Sequence, residues 1–169
     1  MKIIFLDVDG VLNFESTEAR SPTGVFGVAS QPLVHLRSIV KATGAFIVLS
    51  STWRREWDRE EEGCGVDAKY LVRRLKREGL HIMDKTVGNG RGCTRGAEIR
   101  EWLDRHKGVE SWVVIDDEVF DDYKENGILP HLVQTNFYTD GLNERLAGEA
   151  IKILNGGEED AKAGDYSEN

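Results

Sequence analysis

The sequence has 169 residues, of which 40% are hydrophobic and 31% are charged, and its formal net charge is −8. This length suits one domain with its own core and is short for two, and the composition is that of a globular chain rather than a disordered or fibrous one. The negative charge argues against broad, non-specific binding to nucleic acid, because a phosphate backbone is held mainly by Lys and Arg, but it leaves room for a local basic site.

The start of the chain and its cysteines predict where the protein works. The apolar residues 1–6 are followed by Asp7 and Asp9, so this segment is too short for a membrane span and unlike a signal peptide. Cys64 and Cys93 do not form a close metal-binding pair, and we expect both thiols to be reduced. These features predict a cytoplasmic protein without membrane contacts, and they carry no signal for an oligomeric state.

The first half of the chain predicts two strands and two helices. An apolar, β-branched segment over 2–6 predicts a buried strand. Ser30 is expected to cap a helix with apolar residues at helical spacing, which stops at Gly44. A second strand is predicted over 45–49, and Asp67 is expected to open a basic amphipathic helix.

The second half predicts three strands and two helices. Strands are predicted over 80–83, 111–115 and 132–135. Thr94 is expected to cap the helix between the first two of these strands, and Asp140 is expected to cap the last helix.

Strands that alternate with helices predict right-handed βαβ units, and hence a three-layer, Rossmann-like α/β fold with a parallel sheet and helices on both faces. This domain is expected to span residues 1–155, and the acidic tail 156–169 is expected to be disordered. In such a sheet a site forms at the carboxyl ends of the strands. The polar residues at those ends are Asp7, Ser50, Asp116 and Asp117.

Two pairs of carboxylates follow buried strands. The segment FLDVDGVLN carries Asp7 and Asp9, followed by Gly10, which permits an unusual backbone turn. The segment WVVIDDEVFDD carries Asp116 and Asp117 at the end of another strand. Carboxylates that converge repel one another unless a cation binds them, and hard oxygen ligands favour Mg²⁺. The alternatives are a simple turn for the first pair and a solvated acidic loop for the second.

Hydroxyl groups follow a third strand, in the segment AFIVLSSTWR. The Ser50 hydroxyl or its backbone N–H can donate to a phosphate oxygen, and Arg54 can add a planar fork of charged donors. A helix cap is the alternative for Ser51 or Thr52, and packing rather than base stacking is expected for Trp53. The segment therefore predicts phosphate binding beside the carboxylates.

These segments resemble the motifs of the haloacid dehalogenase (HAD) superfamily. FLDVDGVLN resembles the first motif, VLSS the second and VVIDD the fourth, while the third, a Lys or Arg near a helix start, is matched by Arg95 in CTRGAEIREWL or alternatively by Arg91. With SSTWR, RGxEIxxWL and GLNERL, the pattern is most similar to the small HAD domains of multifunctional RNA-repair proteins and related phage or bacterial phosphatases. The resemblance covers about residues 1–154.

The resemblance implies a Mg²⁺-dependent phosphomonoester hydrolase. Asp7 would attack phosphorus and form an aspartyl-phosphate, and Asp9 would act as general acid and then as general base. Mg²⁺ would be held by the Asp7 carboxylate, the Asp9 backbone carbonyl and Asp116, with Asp117 as a direct or outer ligand. A carboxylate at Asp9 favours phosphate hydrolysis or transfer, because related ATPases and dehalogenases carry another residue there.

The resemblance also implies that Ser50 and Arg95 donate hydrogen bonds to the phosphoryl oxygens. The intervals on either side of Ser50 are too short for a large cap domain, so we expect an open site that admits a polynucleotide 3′- or 5′-end or a nucleotide. Arginines at the rim could contact neighbouring phosphates, although a solvated helix face is the alternative for the third and fourth of them. They are Arg54, Arg55, Arg73, Arg74 and Arg91.

Two other functions compete with this hypothesis. One is a non-catalytic module of the same fold that binds phosphorylated nucleic-acid ends, which the complete set of motif residues argues against. The other is a phosphotransferase or phosphomutase, which needs a site that excludes water.

Overall fold

The computed structural model describes residues 1–88 and 94–156. The strands of this described part are β1 (Lys2–Leu6), β2 (Phe46–Leu49), β3 (Ile82–Lys85), β4 (Ser111–Asp116) and β5 (Leu132–Gln134). Its α-helices are α1 (Ser30–Thr43), α2 (Val66–Arg77), α3 (Arg95–Arg105) and α4 (Glu144–Leu154). Short 3₁₀ helices cover Thr52–Arg55, Glu61–Gly63 and Leu129–His131.

The five strands form one parallel sheet in the order β3-β2-β1-β4-β5. At the carboxyl end of the central strand, Leu6 is in register with Leu49 of β2 and with Ile115 of β4. The backbone N–H of Asp7 donates to the Ile115 carbonyl at 3.0 Å, and that of Ser50 donates to the Leu6 carbonyl at 2.9 Å. This register brings the ends of three strands to one edge of the sheet, as the parallel topology predicts.

Helices cover both faces of the sheet. Successive residues of a strand point to opposite sides, so each strand offers apolar side chains to both layers of helices. On one face Ile4 and Leu6 pack with the apolar residues of α1, α2 and α4. On the other face Ile3 and Phe5 pack against α3, where the ring centroids of Phe5 and Trp102 lie 5.4 Å apart, edge to face. The predicted three-layer α/β fold is confirmed.

The predicted cap of α1 and the predicted first residue of α2 are each wrong by one position. Ala29 occupies the N-cap of α1 and Ser30 is the first helical residue, without a side-chain cap. Gly65 occupies the N-cap of α2, so Asp67 lies inside the first turn. Its carboxylate accepts hydrogen bonds from the backbone N–H (3.2 Å) and the hydroxyl of Thr23, so Asp67 makes a tertiary contact and does not cap the helix.

The cap of α4 is also different from the prediction. Asn143 caps this helix by accepting from the Leu146 backbone N–H at 3.0 Å, while Asp140 accepts from the Asn143 amide at 3.1 Å. Thr94 does precede α3, but its side chain makes no cap hydrogen bond. Two side chains with capping ability lie within four residues before α4, and the pattern alone does not rank them.

The strand predicted over 80–83 begins two residues later, at Ile82. Leu80 instead closes the turn that follows α2, because its backbone N–H donates to the Leu75 carbonyl at 3.0 Å. The chain turns there through Gly79, whose φ of 71° favours glycine. The predicted stop of α1 at Gly44 is confirmed, with φ 68°.

No separate cap domain is inserted before or after Ser50 in the described part of these intervals. Between β1 and β2 the chain forms a loop with one antiparallel bridge, between Arg20 and Phe26, and then α1. Among residues 1–88 and 94–156, no helix has both the length and the apolar character needed to cross a membrane. Cys64 is a buried free thiol, whereas Cys93 and the tail beyond Gly156 lie outside the described residues.

Candidate active site

Three carboxylates meet at the carboxyl edge of the sheet. Asp7 follows β1, Asp116 ends β4 and Asp117 comes next, and oxygens of all three lie within 4.8 Å of one another. Gly10 makes room for the third: a Cβ on Gly10 would lie 2.1 Å from the Asp117 Oδ2, and the φ of Gly10 is 76°. The glycine is therefore required by space as well as by backbone conformation.

Arg95, the first residue of α3, bridges two of these carboxylates. Its Nη1 lies 2.9 Å from Asp7 Oδ1 and 2.7 Å from Asp116 Oδ2. The guanidinium also stacks on the Phe120 ring, 4.6 Å from its centroid. Asp116 accepts a further hydrogen bond from the Tyr123 hydroxyl at 3.1 Å. The preferred third-motif residue thus lies at the acidic cluster, while the alternative Arg91 lies outside the described residues.

The acidic cluster, Asp7 with Asp116 and Asp117, holds more negative charge than Arg95 can balance. Burial, followed by the charge of Asp116, raises the pKa of Asp7 to about 7 although Arg95 opposes the shift. Burial and Asp116 likewise raise the pKa of Asp117. For Arg95, burial favours the neutral form, but the charges of Asp7 and Asp116 outweigh it and raise the pKa. This set of hard oxygen donors with excess charge fits a divalent cation such as Mg²⁺.

Asp9 is exposed and its carboxylate lies outside the acidic cluster. The Asn13 amide donates to Asp9 Oδ1 at 2.9 Å, and the Trp53 indole N–H donates to Oδ2 at 3.0 Å. Asn13 itself is fixed by the Gly10 backbone N–H, which donates to its Oδ1 at 3.0 Å. These contacts hold the Asp9 carboxylate in one orientation. Sequence reasoning missed both partners, although the packing role expected of Trp53 is confirmed by its burial.

Ser50 is fully buried, and its hydroxyl has no hydrogen-bond partner within the described part of the chain. A buried hydroxyl without a partner costs about 1–3 kcal/mol, so the Ser50 hydroxyl calls for a ligand or water. The Ser50 backbone lies beside Asp7, since its N–H donates to the Leu6 carbonyl. Ser51 caps the following 3₁₀ helix by accepting from the Trp53 backbone N–H at 3.4 Å. The cap alternative for Ser51 is therefore confirmed, and Ser50 stays the candidate phosphate donor.

Arg54 is held by a partner that the sequence did not reveal. Its Nη2 lies 2.8 and 2.7 Å from the two carboxylate oxygens of Glu98 in α3, and its Nη1 donates to the Ser51 carbonyl at 3.1 Å. Burial raises the pKa of Glu98, although the charge of Arg54 opposes this. Only 15% of the Arg54 side chain is exposed, and its contacts with Glu98 and with the Ser51 carbonyl hold the guanidinium in place. Its predicted role as a phosphate ligand stays a prediction.

The predicted rim arginines differ in position. Arg55 lines a cleft of about 280 Å³ together with Asp9 and Trp53. Arg73 is ion-paired with Glu61 at 2.9 Å, and Arg74 donates to a backbone carbonyl at 3.2 Å. Arg55 is therefore the better candidate for a substrate contact, and the last two fit the alternative of a helix face with surface partners.

A family model described as the HAD domain in Swiss Army Knife RNA repair proteins matches residues 3–147. The chain belongs to this family. The match includes all the residues of the candidate site and, apart from Lys2, every residue of the described strands, and it confirms the resemblance to small HAD domains of RNA-repair proteins. Searches of curated proteins and of solved structures found no match. Membership connects the chain with HAD-type phosphatases and with nucleic-acid repair.

Proposed function

We propose that this protein is a Mg²⁺-dependent phosphomonoester hydrolase that works through an aspartyl-phosphate on Asp7. The observation that carries the proposal is the meeting of Asp7, Asp116 and Asp117 with Arg95 at the carboxyl edge of the sheet. A nucleophile, a set of metal ligands and a phosphate-binding cation are the parts that phosphoryl transfer requires.

The metal ligands would be the carboxylates of Asp7, Asp116 and Asp117 and the backbone carbonyl of Asp9. Bound there, Mg²⁺ would supply positive charge to the phosphoryl oxygens and to the nucleophile. Binding of Mg²⁺ would also explain why three carboxylates lie together beside a single guanidinium group. Without added charge, this arrangement favours uptake of a proton by Asp7, whose pKa burial raises to about 7.

Asp7 attacks phosphorus, and Asp9 transfers the protons. The Asp9 carboxylate is exposed to an incoming substrate, yet the indole of Trp53 and the amide of Asn13 fix its direction. In the first step Asp9 gives a proton to the leaving oxygen, and in the second it takes a proton from the water that attacks the aspartyl-phosphate. This division requires that the Asp9 side chain is not spent on the metal, in agreement with its position outside the acidic cluster.

Ser50 and Arg95 bind the phosphoryl oxygens. The buried Ser50 hydroxyl has no other partner in the described residues, so a phosphate oxygen would satisfy it. Arg95 uses the N–H groups of Nη1 for the bridge between the two carboxylates, and its Nη2 and Nε carry further N–H groups that can donate to a phosphate. Donors placed where charge develops in the transition state lower the barrier.

The test of the proposed function is release of inorganic phosphate from a generic aryl phosphate, with Mg²⁺ and with a chelator. We expect release with Mg²⁺ and almost none with the chelator. No release under any condition, together with retained binding of a phosphorylated oligonucleotide, would favour the alternative of a non-catalytic module.

The proposed substrate is a phosphate at a nucleic-acid end or on a nucleotide. The family is one of RNA-repair domains, and the described intervals around Ser50 contain no separate cap domain that would enclose a small metabolite. We expect a 3′- or 5′-phosphorylated oligonucleotide to have a higher kcat/KM than a sugar phosphate. Both are assayed at the same salt concentration, because phosphate contacts are salt-sensitive. A clear preference for the sugar phosphate would contradict this substrate and leave the phosphatase proposal intact.

Trp53→Phe should lower kcat by roughly tenfold or more, since a hydrogen bond to a charged group contributes about 1.5–3 kcal/mol. The phenylalanine ring keeps an aromatic side chain at this position and removes the donor to Asp9, together with part of the buried ring. Trp57→Phe is the matched control, because Trp57 is equally buried and its ring faces Lys85. The measurement is the pH profile of kcat for both variants. An unchanged kcat and profile in Trp53→Phe would show that the indole does not orient the general acid.

A further inference from the structure

A second cleft lies beside the acidic cluster and is not used by the proposed chemistry. Its volume is about 450 Å³, and it is lined by Asp117 and by the segment 134–138, which begins at the last residue of β5. Asp117 therefore borders both the acidic cluster and this cleft, which makes the cleft a direct continuation of the site.

The segment that lines the cleft is tied to the turn that carries the nucleophile. The Thr135 hydroxyl donates to the Gly10 carbonyl at 2.7 Å, and the Leu142 backbone N–H donates to the Val11 carbonyl at 2.9 Å. Phe137 packs edge to face on Phe26, with ring centroids 5.4 Å apart. These contacts fix the cleft relative to Asp7, as a binding pocket for part of the same substrate requires.

The chemistry of the lining suits a flat, uncharged ring. Tyr138 is 75% exposed, and the edge of Phe137 supports it at a centroid distance of 5.4 Å. Gln134 and Asn136 are exposed. The Gln134 amide donates to the Asp117 carbonyl at 3.2 Å, and the Asn136 Oδ1 accepts from the Tyr138 backbone N–H at 2.9 Å, which leaves the Gln134 side-chain oxygen as an acceptor and the Asn136 NH2 group as a donor for a ligand. Asp117 is the one charged residue among those that line the cleft, so the cleft has no cation to attract a further phosphate.

We propose that this cleft binds the base of the terminal nucleotide whose phosphate lies at Asp7, with the base stacked on Tyr138. The inference rests on the proposed function, because it places the base relative to a phosphate that Asp7 attacks. Every base presents a flat face, so stacking on an aromatic ring selects nucleotides without selecting a sequence. It also gives a protein of net charge −8 a way to prefer nucleotides over sugar phosphates without a basic groove.

The experiment compares two oligonucleotides that carry the same terminal phosphate, one with a normal terminal nucleotide and one with an abasic terminal nucleotide. Both are assayed for kcat/KM and, by fluorescence anisotropy, for affinity. For the wild-type protein we expect the normal substrate to be favoured roughly 5- to 150-fold, the range that corresponds to about 1–3 kcal/mol of stacking. Tyr138→Ala should reduce this ratio to near one, and Tyr138→Phe should keep it.

Phe46→Ala is the control, because Phe46 is an aromatic residue, 49% exposed, at the opposite end of the sheet and should leave the ratio unchanged. A wild-type ratio near one, or an equal loss on both substrates in Tyr138→Ala, would overturn the base site while phosphate release still upheld the proposed function. If no phosphate is released from any substrate, the proposed function fails and the affinity ratio alone decides on the base site. A base-dependent affinity lost in Tyr138→Ala would then support it, and a ratio near one would refute it.

Discussion

Asp7→Asn is expected to lower kcat for phosphomonoesters by more than about a thousandfold, which corresponds to about 4 kcal/mol of barrier. The amide is a poor nucleophile, and the change also removes one charged ligand from the acidic cluster. The matched control is Asp104→Asn, an equal change on the exposed face of α3, which should leave kcat unchanged. If Asp7→Asn kept more than about a tenth of the wild-type kcat, Asp7 would not be the nucleophile.

The pH dependence of folding stability tests the raised pKa of Asp7. In a chelator, Asp7 of the folded protein holds its proton up to about pH 7, whereas in the unfolded chain it has the ordinary pKa of 3.8. The folded state therefore binds more protons between these values, and wild-type stability should fall as pH rises from about 4 to 7, by at most about 4 kcal/mol from this group. Urea denaturation at several pH values should show a smaller decline in Asp7→Asn, because the amide does not titrate. An identical decline in both proteins would contradict the raised pKa of Asp7.

The position of the site at the carboxyl edge of the sheet could be predicted from local patterns. Asp7, Ser50 and Asp116 each end a short apolar segment, and in a parallel sheet such ends meet on one side. No contact between elements had to be known for this step. The position of Arg95 at the cluster could be expected only from the resemblance, since a basic residue at a helix start has many other uses.

The contacts that orient the site could not be predicted, because they join residues far apart in the sequence. Trp53 is 44 positions from Asp9, and Glu98 is 44 positions from Arg54. Nothing in the local pattern distinguishes Glu98 from an exposed acid on α3, yet it is buried and pairs with the partly buried Arg54. Such pairs depend on how α3 packs beside the end of β2, which is a property of the whole fold.

Asp116→Asn and Asp9→Asn should separate metal binding from proton transfer. Asp116 has a carboxylate in the acidic cluster, so its loss should weaken Mg²⁺ affinity by at least about tenfold, or about 1.4 kcal/mol, and lower the rate as well. Asp9 is outside the cluster and is expected to reach the metal through its backbone carbonyl, which the substitution keeps. Asp9→Asn should therefore lower kcat by about 10²- to 10⁴-fold, the usual contribution of a general acid, and leave Mg²⁺ affinity close to wild type.

Calorimetric titration of Mg²⁺ into both variants measures this difference directly. Asparagine at position 116 keeps the volume of the side chain, so its effect does not report a cavity. Its single oxygen can replace only one of the two carboxylate oxygens, of which Oδ1 accepts from the Glu118 backbone N–H and Oδ2 from the Tyr123 hydroxyl, so the effect reports the lost charge together with one lost acceptor. Asp116→Ala should weaken Mg²⁺ binding at least as much as Asp116→Asn. If both variants remain folded, the loss of Mg²⁺ affinity is due to the missing carboxylate. If Asp9→Asn lost as much Mg²⁺ affinity as Asp116→Asn, the Asp9 side chain would itself be a metal ligand. The Trp53 and Asn13 contacts would then position a ligand rather than a proton donor.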